Sequence, residues 1–203
     1  QRIRLVDTAG MRKKTQVHED IEYYSLVRGL EAMDRADVCL LVVDATVGVT
    51  EQDQKLVGMA VDRGCGLVVV LNKWDLVDSD EKRDRVTQSL NQRMNFAPWA
   101  PVVTTSALTG RSIDRVLAAA TKAAAAHDSH IKTSQLNNLI TRIRESGHTV
   151  THKNRRLKVH YGTQTATRPP VFTFWCNAPD LVDDNYERFL ENRLRESFDL
   201  EGT

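Results

Sequence analysis

The amino-acid sequence predicts an α/β fold in which a mainly parallel sheet is followed by a small α+β domain. Strand-like apolar runs alternate with amphipathic helical stretches through residues 1–126, a pattern typical of parallel strands joined by right-handed crossovers. The composition becomes polar and histidine-containing at residues 126–130, which we interpret as a linker. The chain has 203 residues, 41% of them hydrophobic, which is enough for two cores. We therefore predict domains at residues 1–127 and 131–203.

The first domain is predicted from hydrophobic periodicity and from the residues that begin and end each element. One helix has both ends marked, because Thr50 and Asp53 are spaced as a capping box and Gly64 is placed to end the helix. The other predicted elements, in chain order, are a strand over residues 3–6, a helix over 22–34, a strand over 38–43, a strand over 67–71, a helix over 80–94, a strand over 101–105 and a helix over 112–126.

The second domain is predicted to contain two strands between two helices. Its first helix would begin with Ser134 as the N-cap and bury four residues at helical spacing, namely Leu136, Leu139, Ile140 and Ile143. The first strand covers residues 157–161, with Leu157, Val159 and Tyr161 on one face. A turn at Arg168-Pro169-Pro170 precedes a strand over 171–176, and the last helix covers 183–198.

Hydropathy and cysteine content indicate where in the cell the protein works. The sequence has no apolar stretch approaching the roughly 18 residues of a membrane helix, so we expect no membrane insertion. The three cysteines, Cys39, Cys65 and Cys176, cannot all pair with one another, and Cys39 and Cys176 lie in strand-like runs. We expect reduced core thiols and a cytoplasmic location.

Polar residues follow the apolar run over residues 67–71 and predict a nucleotide site. The tetrapeptide Asn72-Lys73-Trp74-Asp75 lies where a parallel strand ends, which is the edge at which open α/β sheets bind ligands. A carboxylate can accept hydrogen bonds from both N1-H and the N2 amine of guanine, a donor pair that adenine lacks. We expect Asp75 to read guanine, Asn72 to connect neighbouring loops, and the Lys73 stem to lie along the base.

Two further segments have the order that a guanine-nucleotide site requires. Upstream, Asp7-Thr8-Ala9-Gly10 follows the strand at residues 3–6. There Asp7 could hold a Mg²⁺-bound water and the Gly10 amide could approach a γ-phosphate. Downstream, Ser106-Ala107-Leu108 follows the strand at 101–105 and could present backbone N–H groups to the guanine carbonyl. Together the three segments predict a GTPase-type G domain that binds GTP or GDP with Mg²⁺.

Long motifs make the chain similar to the Der (EngA) family of bacterial GTPases. The similarity rests on DTAGMRKK at residues 7–14, EYYSLVRGLEAMDRADVCLLVVDATVGVTEQDQ at 22–54, NKWDLV at 72–77 and SALTG at 106–110, and it continues into the C-terminal part. The resemblance implies a P-loop-GTPase-type parallel sheet followed by a KH-like domain, and tandem G domains in the parent protein. It also implies hydrolysis of GTP to GDP and phosphate, and a role in assembly of the large ribosomal subunit.

Two features of the sequence bear on GTP hydrolysis. No G-x-x-x-x-G-K-[ST] sequence occurs, so by the family pattern the chain lacks the first G domain and the P-loop and switch I of the second. We therefore expect the intact parent to be a GTPase and this part alone to be inactive. In addition, Met11 follows Gly10 where many such GTPases have a glutamine that orients the attacking water, so we expect slow intrinsic hydrolysis.

The second domain offers a basic segment for RNA. Residues 132–168 hold eight lysines and arginines against one glutamate, and the candidate RNA contacts are Lys153, Arg155, Arg156 and Lys158. A solvated surface, or a docking surface for the G domain, explains the same charges. The G-x-x-G loop with which KH domains clamp RNA is absent.

Three functions stay open at this point. One is a monomeric Der-like GTPase switch that acts on a precursor of the large ribosomal subunit, made of rRNA and ribosomal proteins. The second is a nucleotide-independent scaffold that contacts rRNA or the ribosome. The third is an Era-like GTPase, which also joins a G domain to a KH domain.

Overall fold

A computed structural model describes residues 3–8, 27–152 and 155–203. The chain divides into two compact units, residues 1–121 and 122–203. Within the described ranges no helix combines the length and the apolar character needed to cross a bilayer. The three cysteines are unpaired.

The first unit is built on a parallel sheet with strand order β1-β2-β3. Its strands are β1 (Val38–Asp44), β2 (Gly66–Asn72) and β3 (Val102–Thr104). The central strand β2 is buried from Gly66 to Leu71, which explains why it reads as a continuous apolar run without alternation.

Helices connect the strands as predicted. Helix α1 is described over residues 27–33, and it is followed by α2 (Glu51–Asp62), α3 (Asp80–Arg93) and α4 (Ile113–His127). The capping box is confirmed: the Thr50 hydroxyl accepts from the Asp53 backbone N–H, and the Asp53 carboxylate accepts from the Thr50 backbone N–H at 2.9 Å. Gly64 follows the C-cap Arg63 with φ of 72°, a left-handed conformation suited to glycine.

The strand predicted over residues 3–6 is wrong in this structure. Residues 3–8 have no regular structure, and Ile3, Leu5 and Val6 are exposed. A strand requires a neighbour to pair its backbone groups, and no described strand pairs with this segment. Apolar composition alone therefore does not make it a strand.

The second unit contains α5 (Thr133–Glu145), β4 (Thr151–His152), β5 (Arg155–Arg156), β6 (Val159–Ala166), β7 (Val171–Cys176) and α6 (Asp184–Phe198). Strands β4 and β5 form one antiparallel ribbon, and β6 and β7 form another. The four predicted helix residues, Leu136, Leu139, Ile140 and Ile143, are buried in one core. The predicted cap Ser134 is wrong, because α5 begins two residues earlier than that cap requires. Lys132 occupies the N-cap position and makes no side-chain capping hydrogen bond.

Tyr161 does not share a face with Leu157 and Val159, as the alternation had predicted. Leu157 and Val159 are buried, whereas Tyr161 is exposed and pairs with Trp175. The ladder between β6 and β7 has an irregularity between Val159 and Tyr161. An extra residue in one strand reverses the side-chain alternation beyond it, which directs Tyr161 away from the core.

Candidate guanine-nucleotide site

Two parallel strands bring the candidate residues to one edge of the sheet. Asp44 is the register partner of Asn72 at the ends of β1 and β2, and Leu71 is the partner of Thr104 in β3. Because the strands run parallel, their carboxyl ends meet on the same side. The loops that follow Asn72 and Thr104 therefore start next to each other.

The backbone after Asn72 turns sharply at Lys73. Lys73 has φ of 62° and ψ of 32°, a left-handed conformation uncommon for a residue with a side chain, and a short 3₁₀ helix Trp74–Leu76 follows. The Trp74 N–H donates to the Thr105 carbonyl at 3.0 Å, and the Ala45 N–H donates to the Asn72 carbonyl at 2.9 Å. These bonds hold an unfavourable conformation in place, as is common where a loop must present side chains to a ligand.

Asn72 joins the two loops through its side chain. Its Oδ1 atom accepts a hydrogen bond from the Ala107 N–H at 2.9 Å, across 35 residues of sequence. The same amide is one of the predicted donors to the guanine carbonyl. In this arrangement the Ala107 N–H is already engaged, so a bound base must share it with Asn72 or use a neighbouring amide.

Hydrogen bonds within the loop after β3 join its beginning to its end. The Thr105 hydroxyl donates to the Arg111 carbonyl at 2.6 Å, and the Ser106 N–H donates to the same carbonyl at 3.2 Å. Ser106 is fully buried and its hydroxyl accepts from the Thr109 N–H, whereas Leu108 at the tip is 89% exposed. Ser106 thus shapes the loop, and Ala107 and Leu108 are exposed at its surface.

Asp75 is exposed in the 3₁₀ helix, and its carboxylate makes no hydrogen bond or ion pair with the described part of the chain. It is therefore available to accept two donors from a base. Trp74 is half-buried and packs against the core of the first unit. Its indole contributes packing under the loop.

An ion pair that the sequence did not predict fixes Lys73. Its ammonium lies 2.6 Å from Asp44 Oδ2, while Asp44 Oδ1 accepts from the Thr46 hydroxyl at 2.6 Å and from the Thr46 N–H at 3.0 Å. The bond from Lys73, with those from Thr46, lowers the pKa of Asp44 from 3.8 to about 2. Asp44 is thus a positioning residue for Lys73. A carboxylate at the end of a second parallel strand was the sequence signal that could have revealed it.

The upstream candidates are only partly within the structure. Asp7 is exposed and Thr8 is half-buried, and the described contacts do not join either of them to the loop at residues 72–76. Ala9, Gly10 and Met11 lie outside the described residues. The exposed Asp7 carboxylate has the oxygen chemistry that suits a Mg²⁺-bound water.

The basic segment of the second unit is partly neutralised. Arg155 makes a two-point ion pair with Asp180, at 2.7 and 2.9 Å, and this guanidinium lowers the pKa of the Asp180 carboxyl. Arg156 and Lys158 are exposed and form no ion pair with the described residues. Lys153 lies outside the described residues. Of the candidate RNA contacts within the described residues, Arg156 and Lys158 are therefore the ones whose charges are not neutralised by an ion pair.

Comparison with known proteins gives a separate family match for each of the two parts of the chain. Residues 1–126 match the family described as the elongation factor Tu GTP binding domain, and residues 130–203 match the KH-domain-like family of EngA bacterial GTPase enzymes. The chain is 42% identical over 200 residues to GTPase Der of Clostridium botulinum (strain Hall). The chain belongs to the Der (EngA) family. Another family member, GTPase Der of Clostridium perfringens (strain SM101), is also 42% identical over 200 residues.

The chain corresponds to part of these family members. Each alignment covers 98% of this chain and 46% of the relative, so the chain spans about half the length of the curated proteins it matches. Among solved structures, a variant of Era from Aquifex aeolicus bound to GDP.AlF4- is 15% identical, with a TM-score of 0.45 over 92% of this chain and 69% of that one.

Proposed function

We propose that the chain is the nucleotide-reading and C-terminal part of a GTP-binding and GTP-hydrolysing switch that acts in assembly of the large ribosomal subunit. The observation that carries the proposal is the hydrogen bond between Asn72 Oδ1 and the Ala107 N–H, which holds two loops together at the carboxyl edge of a parallel sheet. Asp75 follows three residues after Asn72, at the position expected to read guanine, and its carboxylate pairs with none of the described residues.

Each side chain of the site then has a defined task. Asp75 accepts N1-H and the N2 amine of guanine, while Asp44 holds the Lys73 ammonium so that the lysine stem can lie along the base. Mg²⁺ would shield the phosphate charge, and Asp7 would hold it through a water. The phosphate-cradling loop required for catalysis is not among the motifs of this sequence, so hydrolysis belongs to the intact protein.

Hydrolysis in the intact protein should be slow without a partner or cation. Met11 carries no group that can orient the attacking water, and it occupies the position where many related GTPases have glutamine. A single-turnover rate that stays the same in Met11→Gln would contradict this assignment.

The guanine assignment is tested by calorimetric titration of GDP and ADP into the intact protein. We expect binding of GDP and none of ADP. In Asp75→Asn the amide can accept only one of the two guanine donors, so GDP affinity should fall about 100-fold. The affinity for xanthine nucleotides should rise. Asp78→Asn is the matched control, because Asp78 is a nearby exposed carboxylate already paired with Lys82. Equal GDP affinity in Asp75→Asn and Asp78→Asn would refute the role of Asp75.

A second function is a scaffold that contacts rRNA without nucleotide. It is favoured by the exposed side chains of Arg156 and Lys158, which form no ion pair within residues 3–8, 27–152 and 155–203. RNA binding that is unchanged by GDP and by Asp75→Asn would support it.

We also propose that the protein works in the cytoplasm, because its three cysteines form no disulfide bond.

A further inference from the structure

The ribbon formed by β6 and β7 has two chemically different faces. Phe172, Phe174 and Cys176 pack against the core of the second unit. The opposite face, which we call the outer face, is formed by Tyr161, Thr165, Thr173 and Trp175. Alternation along β7 separates the two sets, since neighbouring residues of a strand point to opposite sides.

Two aromatic rings stand together on the outer face. Tyr161 and Trp175 are register partners, with ring centroids 5.3 Å apart and an angle of 53° between the rings. Tyr161 is 44% exposed and Trp175 is 49% exposed. An adjacent pair of half-exposed aromatic rings offers an apolar surface on which a planar ligand can stack.

Cations lie at the same end of the ribbon as the rings. The Lys158 N–H donates to Asn177 Oδ1 at 2.7 Å, and Asn177 Nδ2 donates to the Arg156 carbonyl at 3.0 Å. Asn177 comes two residues after Trp175, and Lys158 three residues before Tyr161. Asn177 thus ties the segment that carries Arg156 and Lys158 to the end of β7 that follows Trp175.

The segment that carries this surface contains no acidic residue, and Asp180, which follows the segment, is paired with Arg155. From Ser146 to Pro179 the sequence contains no aspartate or glutamate. The Thr165 and Thr173 hydroxyls, 3.3 Å apart, continue the outer face with groups that can donate or accept hydrogen bonds. Aromatic rings, hydroxyls and unopposed cations are the components with which proteins bind single-stranded nucleic acid.

We propose that the outer face of β6 and β7 binds single-stranded RNA, with bases stacked on Tyr161 and Trp175 and phosphates beside Arg156 and Lys158. A base paired inside a duplex cannot expose its face to these rings, so the site selects unpaired nucleotides. The proposal rests on the ribosomal part of the proposed function and is independent of the nucleotide site.

The test is fluorescence anisotropy with a labelled mixed-sequence RNA of about ten nucleotides, compared with a duplex of the same length, at several salt concentrations. The chain should prefer the single strand. Trp175→Ala and Tyr161→Ala should each weaken binding about tenfold and leave the dependence on salt unchanged, because stacking releases no counterions. Arg156→Gln and Lys158→Gln should each lower the magnitude of the slope of log K against log salt by about 0.7.

Two further variants separate stacking from general apolar contact. Trp175→Leu keeps an apolar side chain without a π-face, so it should lose as much affinity as Trp175→Ala. Trp175→Phe should retain most of it. Val171→Ala is the matched control, because Val171 is a 43% exposed β7 residue with no ring. Thermal melting of each variant verifies that the second unit is folded.

The outcomes separate this site from the nucleotide site. The proposal would be overturned by any of three results: parental RNA affinity in folded Trp175→Leu, a preference for the duplex, or no RNA binding. An equal loss in Val171→Ala would also overturn it and would indicate an apolar protein contact instead. The titration with GDP is performed on the same variants. In the unsubstituted intact protein, no GDP binding with RNA binding retained would refute the guanine site alone, and no RNA binding with GDP binding retained would refute the outer face alone. In Trp175→Ala, weaker RNA binding with parental GDP affinity is the expected result.

Discussion

The ion pair between Lys73 and Asp44 gives a prediction whose size and pH dependence both follow from the structure. Asp44→Asn keeps the side-chain shape but cannot satisfy both neighbours. If its oxygen accepts from Thr46, its amide faces the Lys73 ammonium 2.6 Å from the former carboxylate position, and two donors meet. We expect the first unit to lose stability and the Lys73 turn to loosen.

The magnitude is bounded by the pKa of Asp44. The difference between 3.8 and about 2 corresponds to at most about 2.5 kcal/mol of stability. Lys73 is 54% exposed, so water screens the pair and we expect a loss of about 1 kcal/mol at neutral pH. Because the folded pKa is the lower one, this contribution is present above about pH 4 and disappears as the pH falls toward 2.

The measurement is urea unfolding of the parent chain and Asp44→Asn from pH 7 to pH 3, followed by tryptophan fluorescence. The two free energies of unfolding should differ by a constant amount from pH 7 to about 5 and converge below about pH 4. Asp78→Asn removes an exposed i,i+4 pair with Lys82 and should change nothing measurable. A difference that does not shrink at low pH, or no difference at all, would refute the account of this ion pair.

Three other predictions concern two glycines and the connection between the loops. Gly58 lies inside α2 with nothing within 4 Å of an added Cβ, so Gly58→Ala should stabilise the protein by about 0.5–1 kcal/mol in thermal or urea unfolding. Gly162→Ala is its counterpart, because the new Cβ would lie 2.8 Å from Phe174. It should cost about 1–3 kcal/mol, and a neutral result would mean that the core can move aside. Asn72→Ala removes the acceptor of the Ala107 N–H, so hydrogen exchange at that amide should speed up. An unchanged exchange rate would show that the loop protects the Ala107 amide without the hydrogen bond to Asn72.

The sequence alone determined the features that depend on local patterns. The continuous apolar run of β2 predicted a buried central strand, and the spacing of Thr50 and Asp53 predicted a capping box that the structure contains. The order of the polar segments after the strands predicted the edge at which the candidate site lies. Each of these follows from residues close together in the chain, whose spacing fixes backbone geometry before any tertiary contact forms.

Only the tertiary structure decided which distant residues meet. Asp44 reaches Lys73 because β1 and β2 pair in one register, and Tyr161 faces outward because the ladder between β6 and β7 is irregular beside it. Residues 3–8 show the opposite case, in which an apolar segment stays irregular without a described strand to pair with. Register and pairing depend on hydrogen bonds between separate segments, and side-chain periodicity within one segment does not specify them.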